Sequence, residues 1–76
     1  MRKKFRTRDI GEAAAILASG VEFFGLEQGK GFYWFVFNRE KATEVSNNYW
    51  SGKFIIAAKT YFDCLRTLKD RLFSQG

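Results

Sequence analysis

Histidine and proline are missing from this 76-residue chain, and cysteine and methionine occur once each. Without histidine, no side chain has an ordinary pKa suited to proton transfer near neutral pH. One cysteine forbids an intramolecular disulfide, and a lone thiol without histidines does not make a closed zinc site. Cys64 lies between Asp63 and Leu65 in a segment with helical periodicity, which reads as a reduced, buried small hydrophobe rather than a nucleophile. No apolar run approaches the ~20 residues of a membrane span. The basic N-terminus has no apolar region of the signal-peptide kind, so the expected location is the cytoplasm, with no membrane partner.

Paired carboxylates are also lacking. The acidic residues are scattered singly beside basic ones, and no two are spaced for acid/base work. Gly29-Lys30-Gly31 is too short for a phosphate loop and joins two strands instead of a strand and a helix, so it reads as a turn. These absences lead to the expectation of a non-enzymatic protein with no catalytic residue, metal or cofactor.

Aromatic residues, in contrast, are plentiful: nine Phe, three Tyr and two Trp. Five fall within Gly31–Phe37, Gly-Phe-Tyr-Trp-Phe-Val-Phe. The segment is too short for a globular helix, and aromatic and β-branched residues suit a pleated sheet. Alternation sends Tyr33, Phe35 and Phe37 to one face and Phe32, Trp34 and Val36 to the other. Both faces are apolar, so both need a cover.

Around this strand the periodicity predicts an α+β domain in the order α-β-β-α-β-α. The first helix runs from Ile10 to Ser19, with Asp9 and Glu12 resembling a capping box. Ile10, Ala13, Ala14 and Leu17 fall on one face, and Gly20 follows the helix end. Val21–Glu27 and the aromatic strand form an antiparallel hairpin across the turn at 28–31. Asn38 caps a second helix running to about Tyr49, with Ala42, Val45 and Tyr49 inward. Lys53–Ile56 reads as a short third strand. A last helix runs from Ala58 to Phe73, with Tyr61, Leu65, Leu68 and Leu72 as its apolar stripe. Three helices are expected mainly on the Tyr33/Phe35/Phe37 face. Phe32, Trp34 and Val36 are then left as an aromatic contact surface. The expected division is a basic arm over residues 1–8 and a single domain over 9–76.

The spacing of Thr7-x-Asp9, Ala13-Ala14, Leu17 and Gly20, followed by Phe35-x-Phe37, Tyr49-x-x-Gly52 and Leu65-Arg66-x-Leu68-Lys69, resembles a family of small uncharacterised domains of bacteria, archaea and their mobile elements. The resemblance covers residues 7 to 73. It departs at Ala57, where the family more often carries an acidic helix cap. It implies a small α+β fold and a phage or mobile-element setting, and it implies no catalytic residues.

Charge placement narrows the function. The formal net charge is +5. Arg2, Lys3, Lys4, Arg6 and Arg8 hold that whole excess, because the remainder balances eight basic against eight acidic residues. A basic arm contacts phosphates or acidic proteins, and sheet aromatics beside cations stack the bases of single strands. The expected function is therefore nucleic-acid binding, with DNA and RNA both open. Its candidate residues are Arg2, Lys3, Lys4, Arg6, Arg8, Lys30, Phe32, Trp34 and Lys53. The alternative is a protein-interaction module whose Phe32/Trp34/Val36 face pairs with a second copy or a host protein.

Overall fold

The computed structural model describes residues 3–75. Their elements are β1 (Lys4–Thr7), α1 (Ile10–Ala18), β2 (Phe23–Gln28), β3 (Tyr33–Asn38), α2 (Arg39–Trp50) and α3 (Ala58–Gln75). The class is α+β: three helices and one three-stranded antiparallel sheet, ordered β1-β3-β2. The expected helix–hairpin–helix run and the final helix are all present.

The third strand, however, comes from the N-terminal side. Lys4–Thr7 pairs antiparallel with β3, Phe5 opposite Phe37 and Thr7 opposite Phe35. The expected arm over 1–8 is thus a sheet edge across its 4–7 portion. The physical reason is a period of two within Lys4-Phe5-Arg6-Thr7. Phe5 and Thr7 turn inward, Thr7 being buried, while Lys4 and Arg6 turn outward. The expected strand at Lys53–Ile56 is an extended connection without strand pairing. Both edges of β3 are taken, by β1 and by β2, so that segment has no place beside it. Charged side chains on the β1 edge also discourage pairing with further strands.

The helix ends follow the local signals. Asp9 accepts a hydrogen bond from the Glu12 amide at 2.8 Å, and Asn38 accepts one from the Glu40 amide at 3.1 Å. In β2 a bulge separates Phe23 and Gly25, and Gly25 has φ +115°, a conformation that an L side chain rarely adopts. The bulge restores inward pairing on both sides, so that Phe23 faces Phe37 and Leu26 faces Phe35.

Phe35, Phe37, Ile16 and Leu68 are fully buried, and Ala13, Ala14 and Ala42 close the space between them. The helix α1 is enclosed more completely than a single apolar stripe requires. Five consecutive residues, Glu12 to Ile16, are buried. The sheet, α2 and α3 surround it, and its alanines permit that approach. Among the described residues, no helix is long and apolar enough to cross a membrane.

Phe37→Ala is expected to cost about 3–5 kcal/mol of unfolding free energy, the usual loss for an enclosed ring. Phe73→Ala, 81 % exposed, should stay within about 0.5 kcal/mol of the parent. Urea denaturation of both variants checks this, and equal losses would contradict the assigned core.

Candidate nucleic-acid interface

Trp34 and Val36 point away from the helices, outside the core cluster that contains Phe35 and Phe37. The outer face they occupy is crossed by an ionic strap. Glu27 on β2 accepts from Lys4 Nζ at 2.8 Å and from Arg6 Nε at 2.7 Å, both on β1. The strand β3 lies between, so these side chains reach across two strand spacings, roughly 10 Å, over its outer surface. Beneath them Val36 is only 1 % exposed. The expected open patch of Phe32, Trp34 and Val36 is therefore corrected at Val36. Long charged side chains bury their stems on apolar surface while their heads stay in water, and here they close over that residue.

The two rings flank this strap at the hairpin end. Phe32 and Trp34 meet edge-on with centroids 5.1 Å apart, and both are half-buried. Arg8 follows the end of β1, and its guanidinium stands 3.7 Å from the Phe32 ring centroid. Gly29 makes room for that ring, because a Cβ there would come within 2.6 Å of it. An open groove of ≈ 380 Å³ lies beside the group, lined by Arg8, Ile10, Phe32, Tyr33, Phe35 and Leu72.

The fold thus brings Lys4, Arg6, Arg8, Phe32 and Trp34 together. Lys30 is exposed in the β2–β3 turn, near the two rings in sequence, and Lys3 is exposed where β1 begins. Lys53 follows α2, off the sheet. Arg2 lies outside the described residues.

Glu12 is the residue that sequence reasoning missed. Its amide completes half of the expected capping box. Its carboxylate, though, is buried and accepts from Ser46 Oγ and from Trp50 Nε1, the latter at 2.8 Å. It ties α1 to α2 and pins Trp50, whose ring remains 62 % exposed. Tyr61 donates to the Gly11 carbonyl at 3.2 Å. Tyr49 lies beside it, its phenol pushed above the ordinary value by burial and by Tyr61. Partners 34 and 38 residues away left no local trace of this contact.

Cys64 is half-buried rather than enclosed, and burial, then Asp63, pushes its thiol pKa up. Among the described residues, no cluster of Cys, Asp and Glu is arranged to hold a metal ion. No family model, curated protein or solved structure matches the chain, so the chemistry of this face rests on its own geometry.

Two outcomes follow from the titrating groups. Hydrogen bonds from Lys4, then Arg6, hold the Glu27 carboxyl below its usual range. A lowered pKa makes the strap's contribution complete above the ordinary carboxylate range, and it is lost as pH falls through Glu27's own value. The gap in urea midpoint between the parent and Glu27→Gln should be widest at neutral pH and close on acidification. A gap unchanged in acid would show that the strap adds no stability. For Cys64, the raised pKa predicts alkylation by iodoacetamide at neutral pH more slowly than a free cysteine model compound. Faster alkylation would place the thiol in an activating environment.

Proposed function

We propose that this protein binds single-stranded nucleic acid, DNA or RNA, across the outer face of its sheet. One observation carries the reading. Lys4 and Arg6 project from one edge onto the outer face, where Trp34 stands and no described helix lies, and Arg8 seats on Phe32, which meets Trp34 at the hairpin end. Side chains two apart on a strand are spaced by roughly 6–7 Å, comparable to successive phosphates of an extended single strand. Phosphates take over Lys4 and Arg6 from Glu27, and Arg8 contributes from its seat over Phe32. Bases stack against Trp34 and Phe32, at about 1–3 kcal/mol per base. Lys30 and Lys3 extend the positive track at its two ends, and Lys53 takes no part.

The strap gives the interface an electrostatic threshold. Glu27 occupies two of the cations until a polyanion with several phosphates displaces it, which disfavours single anions. The same strap leaves the competing reading, an apolar sheet face that pairs with a second copy or a host protein, without its central contact at Val36. A phage or mobile-element setting, which the family resemblance implies, is compatible with such a binder.

The test uses Trp50→Phe, so that Trp34 is the sole tryptophan, excited selectively over the tyrosines. Oligo-dT and oligo-U are expected to quench its emission. Log affinity should fall with log salt at a slope between about −2 and about −3.5, about 0.7 per phosphate neutralised, for Lys4, Arg6 and Arg8 alone or together with Lys3 and Lys30. Glu27→Gln should tighten binding several-fold by releasing Lys4 and Arg6, and Trp34→Ala should weaken it. Absence of salt-sensitive binding to either oligonucleotide would overturn the proposal, as would weaker binding by a folded Glu27→Gln protein.

A further inference from the structure

The helix α3 buries one side and leaves the other bare. Tyr61, Cys64, Leu65, Leu68 and Leu72 pack on the core. On a flank roughly 100–120° round the helix from that side, Phe62 is 60 % exposed and Phe73 is 81 % exposed. Eleven residues separate them, about 16 Å along the axis. At about 100° per residue, Phe73 and Arg66 fall roughly 20° and 40° to one side of Phe62, and Lys69 roughly 20° to the other. Two exposed rings therefore mark the ends of a single stripe, with Arg66 and Lys69 between them. Among the described residues neither cation makes an ion pair, whereas neighbouring Lys59 is held by Asp63 at 3.2 Å. A shallow depression of ≈ 240 Å³, lined by Phe62, Leu65, Arg66 and Lys69, opens at one end of the stripe.

We infer that this face docks an acidic amphipathic helix of a protein partner. The charge pattern selects that occupant. A helix lying on a bilayer carries its cations along the polar borders of a wide apolar face. Here they sit on the midline, between two rings set about three turns apart. A second copy fails for another reason: antiparallel pairing centred on the stripe sets Arg66 of each chain against Lys69 of the other, like against like. A complementary helix instead presents carboxylates at its centre and apolar side chains about three turns apart. One apolar side chain enters the depression beside Phe62 and the other covers Phe73. This surface belongs to α3, and the interface on the sheet is separate from it.

Two synthetic helical peptides test the inference on the full chain. They share leucines three turns apart and differ only in glutamates or lysines between them. Binding is followed by amide chemical shifts of the nitrogen-15-labelled protein. The glutamate peptide is expected to move signals along residues 62–73, to leave the sheet signals in place, and to weaken with salt. Arg66→Glu combined with Lys69→Glu should lower its affinity about tenfold or more and transfer binding to the lysine peptide, since opposed like charges disfavour a complex. Both positions are exposed, and far-ultraviolet circular dichroism verifies that the variant folds. The inference is overturned if the glutamate peptide does not bind or the two peptides bind equally. It is also overturned if the α3 signals respond instead to phosphatidylglycerol vesicles or to oligo-dT.

Discussion

The strand β3 carries apolar side chains on both faces, and three helices can lie on only one of them. Most of the structure resolves that inequality. The helices take Phe35 and Phe37 into the core, with α1 between them and its neighbours. The other face is closed from its edges. β1 and β2 each contribute charged side chains that meet over Val36. A chain of this size buries only about 60% of its unfolded surface, so a face covered by the stems of Lys4, Arg6 and Glu27 spares it a further layer of structure.

That solution has a functional consequence. An ion pair on a solvated surface is weak, typically about 0–1 kcal/mol, and a competing polyanion can take its place. The cations that hide Val36 are therefore the same cations that the proposed function sets against phosphate. Stability of the free sheet face and the proposed binding across it draw on the same two side chains. Arg8 stands apart, held over Phe32 by its ring face, and needs no carboxylate to keep its position.

The helices show a second inequality. α1 has nine residues and α3 has eighteen. The shorter helix spans about 14 Å and the longer about 27 Å, so α3 outruns the support it packs against. Phe62 and Phe73 are both exposed because their angular position turns away from the side on which Tyr61 and Leu72 pack. Glu12 belongs to the shorter helix's packing. Its carboxylate reaches α2 through Ser46 and Trp50, which anchors the one tryptophan that the sheet does not hold.

Local pattern determined much of this protein: Asp9 and Asn38 as helix caps, the hairpin across residues 29–32, the inward setting of Phe35 and Phe37, and the α+β class. Each depends on neighbours a few residues apart, where propensity and periodicity act directly. Tertiary structure alone decided that Lys4–Thr7 joins the sheet in preference to Lys53–Ile56. A four-residue alternation is too short to declare itself until a partner edge is present. It alone also brought Lys4 and Arg6 to Glu27, 23 and 21 residues away, and Glu12 to Trp50. Those contacts arise from strand order and helix packing, and charge and burial at such distances are properties of the assembled surface, with no counterpart in any single stretch of the chain.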